Sequence, residues 1–268
     1  MIWDFKHHQR YRKLHYQFYW RHRNSSLNLL DYYLINYLIF RPQNLIAQSQ
    51  SGTGKTAAFV LASLCRVDTS FPHPQVLILA PTYELAIQIG EVAHQMVKYK
   101  TDLKFRYAVR GEELPRGVQI TDHVIIGTPG KMTDWVIRYK FFDIKKIKVF
   151  VLDEADVMID MQGHRQQSVK IQRLLSPDCQ MMLFSATYDQ PVMEFAEMII
   201  RDPIIIRLKR EEESLDNIKQ FYVECANEND KYKALANIFG SISIGQTFIF
   251  CHTKNSASSL AQKLRKVS

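Results

Sequence analysis

Glycine and proline are scarce in this 268-residue chain, at ten and nine residues. That scarcity excludes collagen-like and low-complexity architectures. Cysteine is sparse as well. Cys65, Cys179, Cys225 and Cys251 form no C-x-x-C pair and lie in apolar runs, so they read as buried free thiols of a reducing compartment and not as a disulfide or zinc framework. Long hydrophobic runs are missing. The best candidate, Leu27 to Phe40, is broken by Asn28, Asp31 and Asn36 and falls short of the roughly 18 apolar residues of a spanning helix. No membrane association is expected. The Asp, the tyrosines and the lack of a small-residue cleavage site also argue against a signal or transit peptide there.

An excess of acid is lacking too. The net charge is +8, which permits a polyanionic partner without demanding one. Residues 1–24 hold six Lys or Arg against the single Asp4, which is five of those eight charges. A basic patch in the remaining chain must therefore come from local arrangement. Residues 1–40 interleave Trp3, Phe5, Tyr11, Tyr16, Phe18, Tyr19 and Trp20 with Lys, Arg and His. Such mixtures can stack on single strands, but an irregular or partly helical tail without a core is the stronger reading. The His7-His8 pair has no partners at metal-ligand spacing.

What the chain does have is S-Q-S-G-T-G-K-T, Ser49 to Thr56. It follows the apolar run Asn44 to Ala47 and precedes a helical pattern from Ala57 to Leu64, the strand–loop–helix setting of a phosphate-binding P-loop. The backbone of Gln50, Ser51, Gly52, Thr53 and Gly54 would cradle a triphosphate, helped by the N-terminus of the helix. Lys55 would reach the β- and γ-phosphates and the Thr56 hydroxyl would ligate Mg²⁺. Ser49 stands where the full pattern has its first glycine.

Beyond Gln43 short apolar runs alternate with helical segments. Strands are expected at 44–47, 75–80, 105–109, 123–127, 148–152 and 180–184. Helices are expected at 84–98, 129–139, 163–175 and 190–200. Buried strands alternating with helices predict an α/β fold with a parallel sheet covered on both faces, and ligands bind beyond the carboxyl ends of such strands. The charged segment Lys209-Arg210-Glu211-Glu212-Glu213-Ser214 reads as a linker. The pattern then restarts, with strands expected at 220–224 and 247–251 and helices at 230–238 and 256–264. The expected organisation is an atypical segment 1–40, a first domain 41–208, a linker 209–216 and an incomplete second domain 217–268.

Asp153-Glu154-Ala155-Asp156 closes the apolar strand before it. Asp153 there can hold Mg²⁺, and Glu154 can orient or deprotonate an attacking water. Ser185-Ala186-Thr187 ends the next strand, placed either to bond the acidic loop or to cap the following helix. Pro81 and Thr82 follow the second strand, Arg110 and Gly111 the third, and Thr128, Pro129 and Gly130 the fourth. Hydroxyls and backbone N–H groups at such helix starts suit a phosphodiester backbone, although each is also an ordinary cap or turn.

Together S-Q-S-G-T-G-K-T, P-T-Y-E-L-A, R-G, T-P-G, D-E-A-D and S-A-T, in this order, resemble the DEAD-box family of RNA-dependent ATPases. The resemblance runs from about Arg41 to the C-terminus, and I-F-C-H-T at Ile249 to Thr253 is similar to a segment of that family's second domain. It implies two RecA-like P-loop domains, ATP and Mg²⁺ as cofactors, and catalytic roles for Lys55, Asp153 and Glu154. It implies single-stranded RNA on Pro81, Thr82, Arg110, Gly111, Thr128, Pro129 and Gly130. Asp156, Ser185 and Thr187 would couple the two sites. Tyr83, V-L-D-E-A-D-V-M-I and K-R-E-E-E-S-L-D-N-I-K-Q are similar to the branch that exports mRNA at the nuclear pore. That branch implies mRNP remodelling, a nucleoporin and an inositol-hexakisphosphate-dependent activator as partners, a monomer, and a nuclear and cytoplasmic location that includes the pore.

Two departures stand out. L-N-L-L-D-Y-Y-L, Leu27 to Leu34, does not resemble the family's adenine-reading segment upstream of the P-loop. The later second-domain motifs, with their arginine fingers, do not follow Thr253. The expectation is a truncated or alternatively spliced chain with a foreign N-terminal segment and little unwinding of its own. It would be either an RNA helicase awaiting its missing half or a nucleotide-, RNA- or partner-binding fragment that competes with the complete enzyme. A small-molecule kinase is a third reading, against which R-G, T-P-G and S-A-T speak.

Overall fold

The computed structural model describes residues 43–48, 54–98, 101–207, 219, 221–241 and 245–265. The expected tail at 1–40, the linker at 209–216 and the loop residues Gln50 to Thr53 lie outside them. The chain divides into two compact units, Met1–Leu215 and Asp216–Ser268.

The first unit runs β1 (Leu45–Gln48), α1 (Lys55–Leu64), β2 (Val76–Leu79), α2 (Tyr83–Met96), β3 (Phe105–Ala108), β4 (Val124–Gly127), α3 (Pro129–Thr133), β5 (Val149–Leu152), α4 (Ala155–Asp160), α5 (His164–Gln172), β6 (Gln180–Ser185), α6 (Gln190–Ile199) and β7 (Ile204–Ile206). The strands form one sheet in the order β3-β4-β2-β5-β6-β1-β7, and every pairing is parallel. The expected helix at 129–139 is α3 continued by a π-helical turn, Asp134–Arg138. The short strand β7 went unpredicted, because three isoleucines after an Asp-Pro give too short a run for periodicity to register.

Strand side chains alternate between two cores. Leu45, Ala47, Val76, Ile78, Val149, Val151, Met182 and Phe184 join Phe59 of α1 and Ala86, Ile89 and Ala93 of α2 on one face. Ile46, Leu77, Leu79, Phe150, Leu152 and Leu183 join Trp135, Met158, Ile171 and Phe195 on the other. Period-2 alternation in strands buried on both faces produces this division. The Phe59 and Phe184 rings lie 5.1 Å apart, and each such buried ring contributes about 2–3 kcal/mol by burial alone.

Local chemistry fixes where the helices begin. The Thr82 hydroxyl accepts the Leu85 N–H at 3.3 Å and caps α2. Asp189 accepts the Val192 N–H at 3.2 Å, and Pro191 follows in the first turn of α6, a position where proline's missing N–H costs nothing. Asn44 ties the foot of β1 to its neighbours: its Oδ1 accepts the Met181 N–H at 2.8 Å, and its Nδ2 donates to the Arg201 carbonyl at 2.6 Å.

The second unit contributes α7 (Glu228–Ser241) and α8 (Lys254–Leu264). The strands expected at 220–224 and 247–251 are not formed: 221–225 and 246–251 are irregular, and Gln220 lies outside the described residues. Among the described residues these β-favouring sequences join no ladder, and Phe221 and Phe250 are 88% and 95% exposed. Strand propensity without a ladder to join does not make a strand. All four cysteines are free. Cys65 and Cys179 are buried as expected, whereas Cys225 and Cys251 are only half-buried, because among the described residues of their unit none is buried.

Candidate functional site

The carboxyl edge of the sheet gathers the sequence motifs into two adjoining groups. β5, β6 and β1 are neighbours; the first two end at Asp153-Glu154 and Ser185-Thr187, and β1 is followed in sequence by the helix that begins at Lys55. β3, β4 and β2 are neighbours on the other half, and their ends carry Arg110-Gly111, Thr128-Pro129-Gly130 and Pro81-Thr82.

In the first group, Gly54 adopts φ 98° as the N-cap of α1, a left-handed conformation that glycine adopts without a Cβ penalty. The next residue, Lys55, is buried and places Nζ 3.2 Å from Glu154 Oε1. Glu154 has φ 50° and ψ 57°, rare for a residue with a side chain and costly by roughly 1 kcal/mol or more. That strained backbone turns the Glu154 carboxylate towards Lys55 across 99 residues of sequence. Thr56, half-buried, follows on the first turn of α1.

Asp153 is buried, its N–H donates to the Leu79 carbonyl at 3.0 Å, and its Oδ1 accepts the Glu154 N–H at 3.1 Å. Burial first, and the adjacent Glu154 carboxylate second, push its carboxyl up to about 7, against a pull downward from Lys55. Among the described residues, no cluster of three His, Cys, Asp or Glu could enclose a metal ion. One buried carboxylate and one hydroxyl fit Mg²⁺, which retains several waters and shares its coordination with substrate phosphates. Asp153 and Thr56 would hold that ion.

The raised Asp153 pKa has a definite sign. Below its ordinary value near 3.8 the carboxyl is neutral whether the chain is folded or not, and the burial of a neutral acid favours the fold. That contribution is lost as pH rises through about 7. Cation binding needs the ionised form, so Mg²⁺-dependent nucleotide affinity is expected to rise about tenfold per pH unit up to roughly 7 and to level off above it. Titration with a fluorescent ADP at fixed Mg²⁺ across this range checks it. A flat profile would mean that Asp153 stays ionised in the folded chain.

Asp156 links the acidic loop to the S-A-T strand end. Its N–H donates to Ser185 Oγ at 3.3 Å. Its Oδ2 accepts from the Thr187 N–H and from Thr187 Oγ1, both at 3.1 Å. The helix after this strand is capped by Asp189, not by Ser185 or Thr187, so the geometry separates the two readings that the sequence left open.

In the second group, Pro129 and Pro81 are buried, Thr82 and Thr128 are half-buried, and Arg110 and Gly111 are exposed. The Thr128 N–H donates to the Ala108 carbonyl at 3.1 Å, and Thr133 Oγ1 donates to the Pro129 carbonyl at 2.8 Å. The Thr82 hydroxyl accepts the Leu85 N–H, so this residue is an ordinary helix cap.

Two features of the site escaped sequence reading. The Lys55–Glu154 ion pair depends on a backbone conformation that propensities disfavour. Gln167, on α5, lies against Gly130; it sits in the polar run Arg165-Gln166-Gln167, and no local signal distinguishes it from a solvent-facing glutamine.

Comparison with known proteins agrees with this geometry. The DEAD/DEAH box helicase family matches residues 33–195. The chain is 62% identical over 223 residues to the DEAD-box helicase Dbp80 of Drosophila melanogaster, covering 83% of this chain and 48% of that protein. It is 59% identical over 225 residues to the human ATP-dependent RNA helicase DDX19A, covering 84% and 47%. It thus spans about half the length of the curated relatives it matches. Among solved structures, Saccharomyces cerevisiae Dbp5 bound to RNA and ADP BeF3 superposes with a TM-score of 0.80 at 39% identity, over 93% of this chain and 63% of that one. A DEAD box protein from the hyperthermophile Methanococcus jannaschii gives 0.60 at 30% identity, over 88% and 62%. Motifs at the strand ends, the parallel α/β sheet and these relatives agree, and the chain belongs to the DEAD/DEAH box helicase family.

Proposed function

We propose that this chain carries the ATP- and RNA-binding machinery of an RNA-dependent ATPase that remodels mRNPs in mRNA export. In this reading residues 41–208 are a first RecA-like domain, 209–216 a linker, and 217–268 part of a second such domain. The observation that carries it is the shared carboxyl edge, where Lys55, Asp153 and Glu154 meet and Asp156 bonds Ser185 and Thr187.

The chemistry follows from these positions. Bound Mg²⁺ would neutralise phosphate charge. The loop Gln50 to Gly54 and Lys55 bind and orient the triphosphate. Asp153, once ionised, holds the cation side of the site. Glu154 accepts a proton from the attacking water, after Lys55 exchanges its carboxylate for phosphate oxygens. Pro81, Thr82, Arg110, Gly111, Thr128, Pro129 and Gly130 take the phosphates and sugars of a single strand, which positions without reading sequence. Asp156, Ser185 and Thr187 join the two halves, so that a shift of the acidic loop is felt at the S-A-T strand end.

Partners follow from the relatives. A variant of Saccharomyces cerevisiae Dbp5 has been solved bound to Nup159, a variant of Gle1, IP6 and ADP, and a nucleoporin and an inositol-hexakisphosphate-dependent activator are the corresponding partners in this reading. In this reading the chain works as a monomer in nucleus and cytoplasm, including the pore. Among the described residues no helix is long and apolar enough to cross a membrane.

A second reading has its own support. α7 and α8 bury no residue, which favours a chain that binds nucleotide, RNA or a partner without turning ATP over. ATP turnover by the purified chain, with and without single-stranded RNA and beside Lys55→Ala, separates the two. RNA-stimulated turnover that Lys55→Ala abolishes supports the enzyme. Nucleotide binding without turnover supports the fragment, and nucleotide binding that survives Lys55→Ala unchanged overturns the P-loop assignment.

A further inference from the structure

Arg207 follows β7 and is exposed. The register that pairs Ile206 with Ala47, and Gln48 with Ser185, brings Arg207 level with Gln48 at the carboxyl edge of the sheet. β1 lies between β7 and β6, yet the Arg207 side chain reaches the segment that leaves β6. Its guanidinium carbon is 4.3 Å from the centre of the Tyr188 ring. That is the shortest cation–aromatic separation among the described residues and well inside the range over which such a pair attracts.

Two things hold the Tyr188 ring. It packs against the core that contains Met158 and Phe195, and the Arg207 guanidinium lies over it. The Tyr188 hydroxyl is enclosed and makes no hydrogen bond among the described residues, so the ring and not the hydroxyl fixes the side chain. Tyr188 directly follows Thr187, whose N–H and Oγ1 both donate to Asp156 Oδ2 at 3.1 Å. A fixed ring fixes the course of the chain at Thr187, and two bonds to one oxygen tolerate little displacement. Thr187 is itself exposed, so water competes for Asp156 once this segment loosens.

We propose that Arg207 is a positioning residue: through the Tyr188 ring it holds Thr187 on Asp156, and so sets how strongly nucleotide and RNA reinforce each other's binding. The inference rests on the reading that Asp156, Ser185 and Thr187 join the two sites. It extends that junction across β1 to the end of β7, two residues before the charged segment that begins at Lys209.

The test uses the full chain with Mg²⁺. Anisotropy of a labelled oligouridylate is read with and without a non-hydrolysable ATP analogue, and the ratio of the two affinities is the coupling. The unsubstituted chain is expected to bind the probe about fivefold or more tightly with the analogue. Arg207→Met, similar in length without the cation, and Tyr188→Leu are each expected to lower that ratio about two- to fivefold, the worth of one cation–aromatic contact. RNA binding without nucleotide, and nucleotide binding without RNA, are expected to stay as they were. Arg207→Lys and Tyr188→Phe are expected to keep the ratio, and Arg207→Met added to Tyr188→Leu to lower it no further. Hydrogen exchange at the Thr187 N–H is expected to quicken by a similar factor in Arg207→Met, with the amides of β6 unchanged. An unaltered ratio in Arg207→Met, or unaltered exchange at Thr187, overturns the inference and leaves the reading of the two sites intact. So does an equal loss of RNA affinity with and without the analogue, which would make Arg207 a plain phosphate contact. Absence of coupling in the unsubstituted chain, or of binding of either ligand, removes the reading and the inference together.

Discussion

Glu154→Gln is expected to abolish ATP turnover while strengthening nucleotide binding. The carboxylate that would take the proton from water is the one that Lys55 holds at 3.2 Å. Both side chains are largely shielded, 7% exposed for Lys55 and 18% for Glu154, so a nucleotide must draw Lys55 away from a real partner. A neutral amide frees the lysine and removes a negative charge facing the polyphosphate. Affinity is then expected to rise by about two- to fivefold, in keeping with an ion pair worth up to roughly 1 kcal/mol. Loss of the general base lowers turnover by roughly a hundred- to ten-thousandfold. Anisotropy with a fluorescent nucleotide and single-turnover hydrolysis read the two effects separately. Weaker binding would show that Glu154 supports the P-loop instead of competing for Lys55. Undiminished hydrolysis would remove it from the mechanism.

The second large effect is on stability. Gly127 pairs with Ala108 between β4 and β3. A Cβ there would lie 2.2 Å from the Ala108 carbonyl oxygen and 2.7 Å from its Cβ. That carbonyl also accepts the Thr128 N–H at 3.1 Å, so it cannot retreat without releasing the turn that follows. Gly127→Ala is expected to cost about 3 kcal/mol, at the upper end of ordinary overpacking, and to lower the melting temperature by roughly 6–12 °C for a unit of this size. Gly130→Ala is the control. Its Cβ would meet Gln167 at 3.6 Å, an ordinary contact, and its melting temperature is expected to change by only about 1–2 °C. Equal shifts for the two substitutions in thermal unfolding would refute the steric argument.

Much of the first unit was legible from the chain. Two-sided burial gives Val76-Leu77-Ile78-Leu79 and Val149-Phe150-Val151-Leu152 the uninterrupted apolar character of parallel strands, and apolar residues recurring from Leu85 to Val97 mark α2; of these Ile89, Ala93 and Val97 are buried. The second unit was less legible. Phe248-Ile249-Phe250 has the composition of a buried strand but remains exposed, because a composition records what a segment can bury and not whether a surface is there to bury it.

The motifs themselves, in order along the chain, determined the family and the residue types at each strand end. Their distribution in space came only from the tertiary structure. Strand order on the sheet differs from strand order in the chain, so Asp153 after β5 and the P-loop after β1 flank Ser185, while Arg110, Thr128 and Pro81 gather on the opposite half. The strained backbone at Glu154, its pairing with Lys55, the three bonds that Asp156 makes to Ser185 and Thr187, and the seat of Gln167 against Gly130 arise from that rearrangement. Local sequence sets what each strand and turn can do, whereas burial, pairing and carboxyl ionisation depend on neighbours that only packing supplies.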